Sequence, residues 1–253
     1  MSRGLAIVTG ASSGIGLELA KLAAQDGYDL LLAADTPFTE TPGNAQTLQV
    51  DLSTFEGVDK LLTATNGRQV DLLCANAGHG LGHAFLDQEP AKWRHIVDTN
   101  ITGTIYLLQN VLKQMVARGE GKVLVTGSIA GYMPGSFQAV YNGTKAFVDS
   151  FVAAIQNELK EAKGITITNL MPGPVETNFF HRGEMDDTSV GADPNKSDPA
   201  DVAKDGWDAL MKGEASITSG WKNKVQATLA NVTPNAVLAE RHRQMAEPGT
   251  AKE

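Results

Sequence analysis

Short apolar runs alternate with segments of helical spacing along most of the chain. The runs are apolar almost throughout, as in strands covered on both faces, and they predict strands over 5–10, 28–35, 47–53, 70–78, 121–128 and 164–174. Apolar positions at helical spacing predict helices over 16–27, 55–67, 90–117 and from Tyr141 to about Lys163. Strand–helix alternation of this kind predicts an α/β protein with a doubly wound parallel sheet between two helical layers.

The pattern changes after residue 177. The segment HRGEMDDTSVGADPNKSDPADVAKDG is rich in Asp, Gly, Ser and Pro, which predicts a long loop with a short helix. We expect a helix near 199–212, one or two C-terminal helices broken at Thr233–Pro234, and a frayed tail over 246–253. No internal repeat and no second domain are found in the sequence, so residues 1–253 are interpreted as one domain.

Composition narrows the class of protein. The 253 residues are 42% hydrophobic and 20% charged, and the net charge of −8 argues against nucleic-acid or anionic-membrane partners. No apolar stretch approaches the roughly 18 residues of a membrane span, and we expect no signal peptide. The single cysteine, Cys74, lies in an apolar run and is interpreted as a buried thiol. These features predict a cytoplasmic protein.

A glycine-rich turn, TGASSGIG at 9–16, follows the first predicted strand and opens the first predicted helix. Gly10, Gly14 and Gly16 permit a tight turn through which the backbone can approach a pyrophosphate at the helix N-terminus. The spacing is Gly-x-x-x-Gly-x-Gly rather than GxGxxG, and no Gly-Lys-Ser/Thr follows as in a P-loop.

Tyr141 and Lys145 are four residues apart in AVYNGTKAFVDSF, so their side chains lie on one helix face. A nearby lysine favours the phenolate and lowers the pKa of tyrosine from about 10, which suits a general acid or base. An isolated YxxxK is more often a half-buried tyrosine beside a surface lysine, so the other motifs of the chain decide whether this pair is catalytic.

TGASSGIG, the NAG at 76–78, Asn100, Ser128 and the Tyr141/Lys145 pair together resemble the short-chain dehydrogenase/reductase superfamily, in its shorter single-domain branch. The resemblance covers residues 5 to about 177 and implies a Rossmann fold. It implies that Tyr141 exchanges a proton with a carbonyl or hydroxyl oxygen and that Ser128 donates a hydrogen bond to that oxygen. Lys145 would lower the pKa of Tyr141 and bind the nicotinamide ribose, and Asn100 would hold a water in a proton relay.

The resemblance also implies a nicotinamide cofactor. Asp35, after the second strand, would accept a hydrogen bond from the ribose 2′-hydroxyl, and the residues that follow it, 36–43, contain no Lys or Arg. This favours NAD over NADP, although many NAD-dependent relatives carry the acid at the position of Ala34. The complete implied cofactor set is Gly10, Ser12, Ser13, Gly14, Ile15, Gly16, Asp35, Asp51, Leu52, Asn76, Ala77, Gly78, Tyr141, Lys145, Pro172, Gly173, Val175 and Thr177.

By the same analogy the substrate pocket would be lined by Ile129, Tyr132, Met133, Pro174 and Val175, with residues 178–200 as a lid. An apolar lining favours a neutral ketone or secondary alcohol. Relatives pair their long helices between subunits, so a homodimer or homotetramer is expected.

Several other readings stay open at this point. One is an NADP-dependent carbonyl reductase, another is a non-catalytic dinucleotide sensor, and a third, discounted, is an epimerase or dehydratase-like member. No Gly-x-Ser-x-Gly elbow and no metal-binding cluster are found in the sequence. His79 and His83 are interpreted as solvent-facing or pocket-wall residues, and His79 could touch the substrate.

Overall fold

Parallel strands form one sheet in the order β3-β2-β1-β4-β5-β6-β7 in the computed structural model, which describes residues 2–251. The strands are β1 Leu5–Thr9, β2 Asp29–Ala34, β3 Gln46–Gln49, β4 Val70–Ala75, β5 Gly121–Thr126, β6 Ile165–Met171 and β7 Ser216–Thr218. The strand order reverses between β1 and β4, where doubly wound sheets open a crevice at the carboxyl ends of their strands. The fold class predicted from the sequence is confirmed, and the chain forms one domain.

The helices cover both faces of this sheet. They are α1 Gly14–Gln25, α2 Phe55–Thr63, α3 Pro90–Val97, α4 Thr104–Arg118, α5 Ala139–Glu158, α6 Phe179–Arg182, α7 Pro199–Lys212, α8 Trp221–Ala230 and α9 Asn235–Ala246. Two of these helices begin with residues that favour a helix N-terminus. The Thr54 side chain caps α2 by accepting a hydrogen bond from the backbone N–H of Gly57, and Asp198 caps α7, whose first residue is Pro199.

Two hydrophobic clusters hold the three layers together. Apolar residues of α2, α4 and α5, such as Leu61, Leu108 and Val152, pack on one face of the sheet. Residues of α1 and α7, such as Leu19 and Trp207, pack on the other face. Because both faces are covered, the central strands are apolar throughout, which explains the pattern read from the sequence.

The predicted strands and the observed ones differ at their ends. The sequence predicts six strands, whereas the described residues contain a seventh, β7, at the sheet edge. Its three residues are exposed or half-buried, so they lack the apolar run that marks the inner strands. The strand predicted over 70–78 ends at Ala75, because the small residues after it form a loop rather than a ladder.

The helix predicted over 90–117 contains a π-helical turn at Asp98–Gly103, between α3 and α4. All residues around it keep helical backbone angles, so the helical path is continuous. Gly103 lies against the Leu52 carbonyl oxygen, in a space that a side chain would fill. Extra residues of this kind in a helix commonly mark functional positions, and Asn100 is at the centre of this turn.

Residues 246–251 belong to the predicted frayed tail, and in the structure they contact the rest of the domain. Ala246 is fully buried, Gly249 N donates to Asp187 Oδ2 at 3.0 Å, and Ala251 N donates to Asp187 O at 2.9 Å. Residues 252 and 253 lie outside the described part of the chain. Within residues 2–251 no helix combines the length and the apolar character that crossing a bilayer needs.

Candidate active site

A cleft opens at the carboxyl ends of the strands, where the turns after β1, β2, β4, β5 and β6 meet. Most of the residues predicted from the sequence line it. They are Gly10, Ser12, Ser13, Gly14, Ile15, Asp35, Asp51, Leu52, Asn76, Ala77, Gly78, Ser128, Tyr141, Lys145, Pro172, Gly173, Val175 and Thr177. Of the predicted catalytic and cofactor-binding residues, Gly16 and Asn100 do not line the cleft, and each supports it from behind.

The glycine turn between β1 and α1 requires its glycines. Gly14 has φ +55°, and a Cβ there would lie 2.8 Å from the Thr177 methyl carbon, so only glycine lets Thr177 approach α1. A side chain at Gly16 would collide with the Gly10 carbonyl oxygen, so this residue packs the turn and does not face the cleft.

The N-terminus of α1 is free to bind an anion. Ser13 is the N-cap residue, but its side chain makes no capping hydrogen bond to the first backbone N–H groups of the helix. Such N–H groups, together with the helix dipole, attract phosphate. The residues present therefore fit the pyrophosphate of a dinucleotide.

The segment after β4 is fixed by Thr9 of β1. Thr9 Oγ1 accepts hydrogen bonds from the backbone N–H groups of Asn76 (2.9 Å) and Ala77 (3.0 Å). The Asn76 side-chain amide donates to Thr9 O at 3.1 Å, and its carbonyl oxygen accepts from Thr126 Oγ1 at 3.0 Å. These bonds hold the NAG segment against the floor of the cleft.

Tyr141 lies in the first turn of α5, buried beneath the ring of Phe179, with ring centroids 5.0 Å apart. Burial raises the pKa of Tyr141 to about 12, and the nearby Ser128 hydroxyl acts in the opposite direction. From the sequence, Lys145 is expected to lower this pKa. In the structure, burial and the Asp149 carboxylate both raise the pKa and outweigh the effect of Ser128, so Tyr141 is protonated at neutral pH.

Lys145 is buried one helical turn beyond Tyr141, and its ammonium group donates to the Thr126 carbonyl oxygen at 2.7 Å. Burial lowers the pKa of Lys145 to about 8, and the Asp149 carboxylate opposes this shift. Lys145 is therefore mostly charged at neutral pH and is held at the end of β5 by a backbone oxygen.

Asp149 is a functional candidate that the sequence analysis missed, although it follows Lys145 by four residues on the same helix face. Its Oδ1 accepts from the Asn169 amide at 2.8 Å, whereas its buried Oδ2 has no hydrogen-bond partner among the described residues. Burial raises the pKa of Asp149 to about 6, against the effects of Asn169 and Lys145. The carboxylate ties α5 to β6.

Ser128 opens the 3₁₀ turn Ile129–Tyr132 at the end of β5. Its Oγ accepts from Ala130 N at 3.1 Å and donates to Pro172 O at 3.4 Å. The hydroxyl is thus placed on the cleft floor by the loops after β5 and β6.

Asn100 crosses from the π turn to the loop after β4. Its Oδ1 accepts from His79 N and its Nδ2 donates to His79 O, both at 2.9 Å, while Nδ2 also donates to Thr144 Oγ1 at 3.0 Å. Both amide N–H donors are therefore used by the protein. These bonds explain a buried asparagine within a helix, where its propensity alone is unfavourable.

Asp35 sits beside two cationic or titratable groups that are distant in sequence. His79 Nε2 lies 3.2 Å and Arg182 Nη2 2.5 Å from Asp35 Oδ2. The hydrogen bond from His79, followed by Arg182, holds the pKa of this carboxyl well below its ordinary value despite partial burial. NAD is favoured from the sequence because residues 36–43 contain no Lys or Arg, but Arg182 reaches Asp35 from 147 residues further along the chain.

The predicted lid begins with α6 and is bound to the loop before α3. Gly82 N donates to Gly183 O at 2.8 Å, and Glu184 is held by Lys92 at 2.5 Å and His83 at 3.4 Å. Phe179, Phe180, Arg182 and Val190 of this segment line the cleft. Of the two histidines, His79 lies on the cleft wall, whereas His83 faces Glu184 outside it.

The predicted substrate lining is largely found, with one correction. Ile129, Met133, Pro174 and Val175 line the cleft. Tyr132 does not, because its hydroxyl lies 3.1 Å from Met171 Sδ and its ring packs against the cluster of Met133, Ala230 and Leu238. Gln138, His242 and Met245 also line the cleft and were not predicted, because they belong to no sequence motif.

Cys74 is fully buried, which raises the pKa of its thiol to about 12.

Fold and cleft together define a doubly wound, nucleotide-binding protein with a serine, a tyrosine and a lysine at the carboxyl ends of its strands. The family model of the short chain dehydrogenases matches residues 4–187. An uncharacterized oxidoreductase of Staphylococcus saprophyticus is 31% identical over 212 residues, which are 79% of this chain and 88% of the relative. The chain therefore belongs to the short-chain dehydrogenase family of oxidoreductases.

Solved structures agree on the fold. A short-chain dehydrogenase/reductase from Burkholderia phymatum in complex with NAD has a TM-score of 0.80 at 20% identity, with 90% of this chain and 92% of that chain covered. A short-chain dehydrogenase from Sphingobium yanoikuyae in complex with NADPH has a TM-score of 0.76 at 22% identity, with 92% and 97% covered.

Proposed function

We propose that the protein transfers a hydride between NAD(H) and a neutral ketone or secondary alcohol, with Tyr141 as general acid and base. The observation that carries this proposal is the convergence of Ser128, Tyr141 and Lys145 on one cleft that also contains the glycine turn. A nicotinamide cofactor supplies or accepts the hydride when it is bound.

The side chains divide the proton chemistry. Tyr141 is protonated at neutral pH and can donate its proton to the carbonyl oxygen during reduction. The Ser128 hydroxyl turns its hydrogen from the Pro172 carbonyl oxygen, 3.4 Å away, to donate to the same substrate oxygen as negative charge develops on it. The Lys145 ammonium stabilises the phenolate left on Tyr141, because an opposite charge nearby favours the ionised form. Asn100 positions the His79 backbone and, through Thr144, the start of α5.

NAD is the proposed cofactor, with NADP as the alternative. Asp35 lies on the cleft wall at the end of β2, where an acid favours a ribose 2′-hydroxyl over a 2′-phosphate. Arg182 could attract a 2′-phosphate, but its charge is paired with Asp35. The structural neighbours were solved with NAD in one case and NADPH in another. Quenching of tryptophan fluorescence by NADH and by NADPH compares the two, and tighter NADPH binding would overturn this choice.

The substrate is proposed to be uncharged. Ile129, Met133, Phe179 and Met245 make the wall beyond Tyr141 apolar. A sugar phosphate or acyl-CoA would need convergent cations there, and the nearest arginine on the lid, Arg182, is already paired with Asp35.

We further propose a cytoplasmic homodimer or homotetramer formed through the outer faces of α4 and α5. Phe147 on α5 and Val116 on α4 are each 40% exposed, and Phe147 stacks on Phe151. Apolar side chains on one helical layer suit burial against a second copy. Sedimentation equilibrium tests this assembly, and a monomer at micromolar concentration would contradict it.

The mechanism is tested with Tyr141→Phe, which removes only the phenolic oxygen. We expect NADH binding within about twofold of wild type and a loss of turnover of about 10³-fold or more, as for a missing general acid combined with a lost hydrogen bond. Tyr132→Phe is the matched control, because the Tyr132 hydroxyl contacts Met171 outside the cleft.

Normal turnover by the Tyr141→Phe protein would refute the proposed role of the phenol. A non-catalytic dinucleotide sensor would instead bind NADH and reduce no ketone even as the wild type. A panel of ketones with NADH therefore separates the enzyme from the binding protein.

A further inference from the structure

One wall of the cleft is formed by α9, far along the chain from the motifs of the active site. His242 and Met245 of this helix line the same cavity as Ser128 and Tyr141. His242 is 6% exposed, so a titratable ring is buried at this wall, and the proton chemistry proposed above does not use it.

The position of the His242 ring is fixed by the loop that precedes α5. His242 Nδ1 lies 2.8 Å from the Ser136 carbonyl oxygen, and Ser136 Oγ donates to the Ala239 carbonyl oxygen at 2.8 Å. The Arg243 guanidinium stacks over the Phe137 ring at 4.9 Å. These contacts on adjacent residues of α9 hold the ring in one orientation.

The same contact determines the tautomer. A carbonyl oxygen can only accept, so Nδ1 must carry the hydrogen. Burial lowers the pKa of His242, so the ring is neutral and Nε2 carries a lone pair. Among residues 2–251 no group forms a hydrogen bond with Nε2. Because His242 lines the cavity, this lone pair is available as a hydrogen-bond acceptor at its wall.

Gln138 adds a second polar group to this wall. It is 5% exposed, lines the cavity, and its side-chain amide has no hydrogen-bond partner within the described residues. Gln138 lies two residues after Ser136, to which His242 is bonded. The surrounding side chains, such as Met133, Val190 and Met245, are apolar. His242 and Gln138 are therefore uncharged polar groups on an otherwise apolar part of the wall.

We propose that His242 Nε2 accepts a hydrogen bond from a hydroxyl or N–H group of the substrate. The substrate class then narrows to neutral ketones or secondary alcohols that carry a second, donating polar group. This inference rests on the proposed function, since it concerns the substrate of the same site. Gln138 can donate to the oxygen of the same hydroxyl, and because an ether oxygen accepts such a bond equally, it is His242 Nε2 that distinguishes a hydroxyl from an ether.

The test compares matched ketones whose second oxygen carries either a hydrogen or a methyl group, and the variants below separate the lost donor from the added size. Suitable pairs are 4-hydroxycyclohexanone with 4-methoxycyclohexanone, and 4′-hydroxyacetophenone with 4′-methoxyacetophenone. For at least one pair we expect the wild type with NADH to prefer the hydroxy compound about tenfold in kcat/KM, as for one hydrogen bond between neutral groups.

Three substitutions of His242 distinguish the role of Nε2 as an acceptor from the role of the ring in holding α9 to Ser136. His242→Asn can still donate to Ser136 O but lacks the distal acceptor, and His242→Phe lacks both groups. We expect both variants to lose the preference, whereas His242→Gln, which can place an oxygen near the position of Nε2, keeps part of it. Arg241→Gln, on the solvent-facing side of α9, should keep the wild-type preference.

Three outcomes would overturn the inference. The first is an unchanged preference ratio in both His242→Asn and His242→Phe, and the second is no preference in the wild type for any pair. The third is a protonated Nε2 in long-range ¹H–¹⁵N spectra of the His242 ring, recorded on the free protein. If the wild type turns over none of these ketones and none of the wider ketone panel with NADH, the proposed function fails, and calorimetric Kd values of the same pairs for wild type and variants still decide the role of His242.

Discussion

Asn100 is expected to act mainly as a structural tie, and Asn100→Ala measures how strong that tie is. The side chain makes three hydrogen bonds, two with the backbone of His79 and one with Thr144. Each is worth about 1 kcal/mol net, and their loss strands largely buried partners. We therefore expect a destabilisation of about 3 kcal/mol, which in a domain of this size lowers Tm by roughly 6–12 °C.

Thermal and urea unfolding of Asn100→Ala give this value directly. Thr144→Val is the matched control, because it leaves His79 paired and removes only the Asn100–Thr144 bond and the bond from Thr144 Oγ1 to Tyr141 O at 2.7 Å, so about 2 kcal/mol is expected. A stability loss in Asn100→Ala no larger than that of Thr144→Val would refute the argument. It would show that water replaces Asn100 at the His79 backbone.

Three further predictions concern the site. Phe179→Ala uncovers the phenol, so an absorbance titration should find the pKa of Tyr141 below the wild-type value of about 12; an unchanged pKa would contradict the burial argument. Burial raises the pKa of Asp149 from 3.8 to about 6, so its contribution to stability is complete below about pH 4 and is lost as the pH rises through 6. Urea unfolding should therefore show Asp149→Asn gaining about 3 kcal/mol relative to wild type between pH 4 and pH 7, and parallel pH profiles would contradict this. Arg182→Gln should weaken NADPH binding more than NADH binding if the guanidinium can reach a 2′-phosphate, and equal effects would exclude that role.

Much of the fold could be predicted because its inner strands are covered on both faces. That environment requires apolar runs, and the runs in turn mark β1, β2, β4, β5 and β6. The edge strand β7 has no such requirement, so its three residues carry no pattern. The π turn was not predicted either. The apolar spacing that indicates a helix is judged over several helical turns, and one inserted residue hardly changes it.

The site divides in the same way. Residues on the turns next to strands, such as Ser128 and Gly14, occur at fixed distances from recognisable elements and could be predicted. Arg182 and His242 reach the cleft from elements 147 and 106 residues away from their partners Asp35 and Ser136. No local pattern encodes such contacts, and only the packed chain brings them together.

The position of α9 has a consequence for synthesis on the ribosome. Proteins are made from the N-terminus, and domains begin to fold as they emerge. A nascent chain that has reached residue 212 already contains β1 to β6, both helical layers and every residue that lines the nucleotide-binding turn. The wall that carries His242 and Met245 does not yet exist at that stage. On the proposed function, the part of the chain that holds the dinucleotide is therefore synthesised before the part that contacts the substrate.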